Sequence, residues 1–255
     1  MDRGKARNEG IKVAKGKYVM FLDSDDYIEK NNLQEVINQY LKNEKYDVLY
    51  YDFELVADNG MILKKYNLQK FAKCSKEDLI KNTISWNLPW GQFKIVKKDI
   101  IIDNNIYFEE EISTCEELFF TIRILQEATK VFFYNNVIYK YLKRNDSISR
   151  KINILENKQS VDLVVKKLKE NLDIRKYEKV IENYHIISKL HILKYFALNR
   201  EYKLFKNICI DVRKECKNVS YKYMAKRYKK LIYIINCHLD YLIYYMMRSY
   251  FKEKV

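Results

Sequence analysis

An apolar run that ends in a group of carboxylates is the feature that most restricts the fold of this chain. Residues 18–22 form an uninterrupted apolar segment of strand length, and Asp23, Asp25 and Asp26 follow directly. Such a run predicts a strand that is buried on both faces, as in parallel α/β sheets. Because open α/β sheets bind ligands beyond the carboxyl ends of their strands, the carboxylates are expected to mark a ligand site.

The acidic turn, residues 23–26, needs a compensating charge. Its three carboxylates repel one another unless something neutralises them. Mg²⁺ or Mn²⁺ would do so, since these ions commonly bind one or two carboxylates together with substrate phosphates. The alternative is a solvated turn in which Asp26 caps the following helix. The turn taken alone leaves both interpretations open.

Residues 1–150 alternate between helical and strand patterns, so we expect an α/β domain there. Helical spacing of apolar residues predicts helices at 5–15, 29–42, 76–84, 97–103 and 116–128. Apolar runs and turn signals predict strands at 18–22, 47–56, 61–63, 90–96 and two short strands within 130–142, split at Asn135 and Asn136.

The pattern changes near residue 150. The remaining residues, 151–255, predict an all-α region with helices at 152–171, 174–198, 201–216 and 221–251. The last of these has basic ends around apolar and tyrosine-rich stretches, which suits an interfacial helix on an anionic membrane. Packing against the preceding helices is the alternative.

The amino-acid composition limits the kinds of partner that the chain is expected to bind. Its formal net charge of +14 favours an anionic partner, although a Lys-rich coding bias would also produce it. We expect no nucleic-acid partner, because no signature of a nucleic-acid-binding fold is present. The five cysteines form no CxxC pair, and no apolar run reaches 18 residues. These features predict a cytoplasmic protein. A peripheral position on the inner face of the cell membrane is a further expectation from the basic C-terminal helix.

Residues 6–11, 14–18 and 21–26 form the run "ARN-x-G-I … A-x-G-x-Y-x-x-F-L-D-x-D-D". With this spacing intact, the run resembles family 2 glycosyltransferases. The other matching blocks are Trp90-Gly91 with residues 106–108, the "E-D-x-x-F"-like segment 116–120, and residues 138–141 with 147–149. The resemblance covers about residues 3–150 and implies a GT-A (Rossmann-like) mixed sheet with flanking helices.

The resemblance also implies a donor site for a nucleotide-diphosphate sugar. Asp23 would lie near the ribose and the metal, and Asp25 would ligate the Mn²⁺ or Mg²⁺ that bridges the diphosphate. Arg7 and Asn8 would lie beside the nucleotide. For either of these two alone, a place on a helix surface is the competing interpretation.

Glu117 matches the catalytic base of the family, which takes a proton from the acceptor hydroxyl during inverting transfer. Glu stands where Asp is commoner, and Cys115 stands where Gly is frequent. A helix-terminal carboxylate stabilised by the macrodipole is the alternative. Trp90 and Glu116 would contact the acceptor, a glycan or lipid-linked molecule in polysaccharide or surface-glycan synthesis, although Trp90 would equally suit a core.

Family members carry a strand, a helix and a second strand before the Ala-Arg-Asn helix, whereas Met1 here precedes that helix directly. The resemblance therefore implies an N-terminally truncated GT-A domain. The second hypothesis is a catalytically inactive remnant that needs a partner chain for the missing strands.

Overall fold

The computed structural model describes residues 3–143 and 154–252, and the chain divides into two units. The first unit contains residues 1–83 and 88–151, and the second contains residues 84–87 and 152–255. The motif segment 147–149 lies outside the described residues.

A mixed sheet forms the first unit, as the sequence predicted. Its strands are β1 (Tyr18–Met20), β2 (Tyr27–Ile28), β3 (Val48–Ala57), β4 (Ile62–Tyr66), β5 (Lys94–Lys97) and β6 (Val131–Lys143). They lie in the order β1-β5-β3-β6-β2, and β4 pairs with β3 to complete the predicted hairpin. The β3–β6 pair is parallel and the other pairs are antiparallel.

Strand β1 differs from its prediction in length and direction. It covers three residues and runs antiparallel to β5, so the expectation of a parallel strand over residues 18–22 was wrong. Phe21 leaves the strand and packs edge-on against Phe108 and Phe120, with ring centroids 5.4 and 5.9 Å away. The apolar run therefore contributes to both a short strand and an aromatic cluster. Hydrophobicity alone does not show where the strand ends and the cluster begins.

Strand β6 is one strand rather than the two predicted. Its partners on β3 jump from Tyr51↔Tyr134 to Asp52↔Val137, so Asn135 and Asn136 are looped out. Both asparagines are exposed. The parallel pairing resumes beyond them because a bulge absorbs the additional residues without ending the strand.

The helices of this unit are α1 (Arg3–Val13), α2 (Lys30–Val36, continued by a π-helical turn at Ile37–Leu41), α3 (Lys76–Ile84), α4 (Lys98–Asp103) and α5 (Glu116–Glu127). The predicted cap of α3 is confirmed, since the Asp78 amide donates to Ser75 Oγ over 3.1 Å. Helix α5 buries an apolar face that includes Leu118, Phe119 and Ile122, which fixes the direction of its first turn.

The second unit consists of α6 (Ile154–Asn171), α7 (Ile174–Leu198), α8 (Tyr202–Glu215), α9 (Lys226–Asn236) and α10 (Asp240–Lys252). The single helix predicted over 221–251 is thus two helices. His238 between them adopts φ +58°, and Arg213 binds both the Ile235 carbonyl and the Asp240 carboxylate. Those contacts stabilise the end of α9 and the start of α10. Among the described helices, none has the length and apolarity that a bilayer crossing requires.

Candidate active site

Asp26 fastens the acidic turn to β6. Its Oδ2 accepts a hydrogen bond from the Tyr139 hydroxyl over 2.6 Å, and its Oδ1 accepts one from the Leu142 amide over 2.8 Å. The Asp23 amide donates to the same Tyr139 oxygen over 3.2 Å. Burial raises the pKa of Asp26, although both hydrogen bonds favour its charged form. Since β6 engages both of its oxygens, Asp26 positions the turn.

Asp23 and Asp25 are the remaining carboxylates of the turn. The Asp23 side chain is 41% exposed, and Asp25 is half-buried. Among the described residues, no group of three or more His, Cys, Asp or Glu side chains is arranged to hold a metal ion. Two carboxylates suit an Mg²⁺ or Mn²⁺ ion that takes its other ligands from phosphate oxygens and water, so the residues present fit such an ion.

A cleft of about 340 Å³ lies between α1 and the end of β1. Its lining residues are Arg3, Ala6, Arg7, Gly10, Met20, Phe21, Leu22, Asp23 and Ser24. The cleft therefore adjoins the acidic turn, and two of the residues predicted to bind the donor, Arg7 and Asp23, line it.

Arg7 joins the acidic turn to the start of α5. Its Nη2 lies 3.1 Å from Asp23 Oδ1, and its Nη1 lies 3.0 Å from Oε1 of both Glu116 and Glu117. The Arg7 side chain is only 10% exposed. Burial by itself would lower the pKa of Arg7, but Glu117, Asp23 and Glu116 outweigh this and raise it. One fixed cation thus neutralises carboxylates from two separate segments.

Glu117 is held on two sides in the first turn of α5. Besides the Arg7 contact, its Oε1 accepts a hydrogen bond from Gln92 Nε2 over 3.2 Å. Its side chain remains 16% exposed. Cys115, directly before α5, adopts the left-handed conformation with φ +62°, which suits the glycine that is frequent there.

Glu116 and Asn8 are both buried and bound by other parts of the protein. Glu116, expected at the acceptor, is 1% exposed and is also paired with Arg3 over 3.2 Å. Asn8, expected beside the nucleotide, is buried; its amide donates to the Phe108 carbonyl and accepts from the Phe108 amide. Each side chain is thus engaged by protein partners, and the predicted contacts of Glu116 with the acceptor and of Asn8 with the nucleotide stay predictions.

A buried lysine that the sequence interpretation did not single out lies beside this network. Lys94 Nζ donates to the Trp90 and Gly91 carbonyls over 2.7 and 2.8 Å, and the Thr121 hydroxyl also donates to the Trp90 carbonyl. Burial lowers the pKa of Lys94 to about 7, although Glu117 opposes the shift. Lys94 fixes the backbone of Trp90, the predicted acceptor contact, which is half-buried. The sequence signal that could have indicated a buried Lys94 is its position next to the apolar residues of a predicted strand.

The mixed sheet and its flanking helices define the fold as GT-A-like. Residues 2–102 match the model of the family described as "Glycosyl transferase family 2". The match lies in the part of the chain that carries the first motifs, and the resemblance drawn from the motifs is confirmed.

Two curated relatives extend the comparison. Poly(ribitol-phosphate) beta-N-acetylglucosaminyltransferase TarS of Staphylococcus aureus is 29% identical over 144 residues, covering 56% of this chain and 24% of TarS. Cholesterol galactosyltransferase of Borreliella burgdorferi is 26% identical over 238 residues, covering 84% of this chain and 65% of that protein. The chain therefore spans about a quarter of TarS, and the second alignment takes in part of the helical unit.

The fold also matches a solved structure. S. aureus TarS 1-349 in complex with UDP-GlcNAc superimposes with a TM-score of 0.60 at 18% identity, covering 99% of this chain and 72% of that one. The likeness supports the GT-A fold at a level of sequence identity too low to assign residues.

Proposed function

We propose that this protein is a glycosyltransferase that moves a sugar from a nucleotide-diphosphate donor to a glycan or lipid-linked acceptor, with inversion at the transferred carbon. The observation that carries the proposal is the position of Arg7. Its guanidinium contacts Asp23, at the predicted donor end of the site, and Glu117, at the predicted acceptor end.

At the donor end, Asp23 and Asp25 would hold Mn²⁺ or Mg²⁺ beside the cleft. When bound, the ion would supply Lewis-acid neutralisation of the diphosphate leaving group. The anchoring of Asp26 to Tyr139 keeps the turn in place. Arg7 reduces the repulsion between Asp23 and the α5 carboxylates, so the turn keeps its shape before a donor arrives.

At the acceptor end, Glu117 would take the proton from the attacking hydroxyl. The Arg7 guanidinium and the Gln92 amide both contact Glu117 Oε1 and orient the carboxylate for this role. Glu117 is one methylene longer than the Asp commoner in the family, so its fixed placement by two side chains compensates for greater rotamer freedom.

The relatives support the acceptor class. TarS is named for a poly(ribitol-phosphate) acceptor and the Borreliella protein for cholesterol. We propose that the acceptor is a cell-surface polymer or a lipid. The enzyme would be cytoplasmic and would work on the inner face of the membrane.

The test measures binding and turnover of nucleotide sugars, with UDP-GlcNAc as the first probe and Mn²⁺ or Mg²⁺ present or removed by a chelator. Glu117→Gln should lower turnover by roughly 10²–10⁴-fold while donor binding persists. Glu127→Gln, at the exposed end of the same helix, is the matched control and should leave turnover unchanged.

Equal turnover of the Glu117→Gln and Glu127→Gln proteins would remove Glu117 as the base. A folded chain that binds none of the nucleotide sugars tested would contradict the proposal and favour the inactive remnant that needs a partner chain.

A further inference from the structure

Helix α10 is apolar on its exposed side as well as on its buried side. Ile243 and Tyr244 face the core of the second unit. The opposite face carries large apolar side chains that are 44–60% exposed: Tyr241, Leu242, Tyr245, Met246 and Tyr250. These positions recur at intervals of one, three and four residues, which places them on one face. A helix that is apolar all round normally has a partner on each side.

Basic residues outnumber acidic ones in the segment that contains α9 and α10. Residues 221–252 contain seven Lys and Arg side chains and a single acidic one, Asp240. Asp240 is buried and forms a two-point ion pair with Arg213. On the adjacent helix α9, Lys226, Lys229 and Lys230 make no ion pair with an acidic residue in the part of the chain that the structure describes.

We propose that α9 and α10 form a docking surface for an anionic lipid bilayer. The exposed face of α10 would enter the boundary between headgroups and acyl chains, where tyrosine is favoured because its ring is apolar and its hydroxyl is polar. The α9 lysines would contact anionic headgroups. A second copy of this face would bring the same positive charges together, so charge complementarity favours lipid over self-association.

This inference extends the proposed function, since a lipid-linked acceptor is found at a membrane. It concerns the helical unit by itself and requires neither donor nor catalysis. Lipid binding is therefore measured without nucleotide sugar. A chain that does not bind lipid would leave the glycosyl-transfer proposal unaffected, and a chain that does not bind nucleotide sugars would leave the membrane proposal unaffected.

The experiment is co-sedimentation of the full chain with vesicles of phosphatidylcholine alone or mixed with phosphatidylglycerol. Binding should require the anionic lipid and weaken with salt. Lys226→Gln with Lys230→Gln should weaken it roughly 30-fold, from about 1 kcal/mol for each lost cation. Leu242→Ser with Met246→Ser should weaken it roughly tenfold through lost apolar burial.

Matched controls lie on α7 in the same unit. Lys176→Gln with Lys179→Gln removes two exposed cations, and Ile174→Ser removes an exposed apolar side chain. Both proteins should bind like the unaltered chain. If these controls weakened binding equally, binding would depend on net charge or on non-specific apolar contact and the proposal would be wrong. If the chain bound neither kind of vesicle, the proposal would also be wrong. Concentration-dependent dimers that Leu242→Ser with Met246→Ser dissociates would assign the face to a second copy instead.

Discussion

Two regions of the protein, the Arg7 network of the sheet unit and helix α9 of the helical unit, treat positive charge in opposite ways. In the sheet unit, the buried Arg7 is shared among carboxylates of the acidic turn and of α5. In the helical unit, Lys226 and Lys230 of α9 are exposed and have no acidic partner among the described residues. A buried cation must be matched within the fold, whereas an exposed one is solvated and remains available to an outside ligand. The difference separates charges that stabilise structure from charges that await a partner.

The largest expected effect comes from removing Arg7. Arg7→Met leaves Glu116 and Glu117 adjacent without their shared cation, so the free energy of unfolding should fall by about 3–5 kcal/mol. Urea unfolding followed by circular dichroism measures the change. Arg3→Met is the control; the Arg3 side chain is 50% exposed, so its loss should cost about 1 kcal/mol or less. Similar losses for both variants would show that Arg7 is not the central cation.

An intermediate effect, and one that depends on pH, is expected at Lys94. Its pKa is about 7 in the folded protein and lies near 10.4 in the unfolded chain. Between these values the unfolded state binds more protons, so Lys94 makes stability rise with pH, by about 1.4 kcal/mol per pH unit. Lys94→Met should remove this dependence.

Urea unfolding of the Lys94→Met and unaltered proteins at several pH values between 6 and 10 checks the slope. Any stability gain from methionine should be greatest near the acid end and decline as pH rises. Lys73→Met, at an exposed position of the same unit, provides the comparison and should show no such trend. A constant difference between Lys94→Met and the unaltered chain would mean that Lys94 stays charged in the fold.

The smallest effect is expected for the lysines of α9. Lys226→Gln with Lys230→Gln should change the free energy of unfolding by less than about 0.5 kcal/mol, because both side chains are exposed and neither forms an ion pair with an acidic residue that the structure describes. Thermal unfolding in the absence of lipid measures this. A loss well above that limit would give these lysines a structural role and erase the contrast with Arg7.

Local patterns made much of this fold predictable. The β3–β4 hairpin, the Ser75 cap and helices α5 to α8 follow from periodicity and turn residues, which act over a few positions. The order of strands does not, since it depends on pairings between distant segments. The bulge at Asn135 and Asn136 was mistaken for a strand end because asparagines signal turns and the uninterrupted partner strand is invisible to local patterns.

The candidate site shows the same division. Spacing drew attention to Asp23, Asp25 and Glu117, but the contacts of Arg7 with Glu116 span 109 residues of sequence. The hydrogen bonds that occupy Asn8 reach 100 residues along the chain. No local rule distinguishes a side chain that meets a ligand from one that meets another segment of the protein, so the protein contacts of Asn8 and Glu116 could not be predicted from the sequence.

The parallel pairing of β3 with β6 has a consequence for how the protein folds. Val48 meets Val131, so the chain must close a long loop before this pair contributes stability. Folding rates fall as contacts become less local. Because Tyr139 of β6 holds the acidic turn, we expect the site to be assembled late, after most of the sheet unit is ordered. Ligand binding would then report completed folding, and a nascent chain that ends before β6 would have no site.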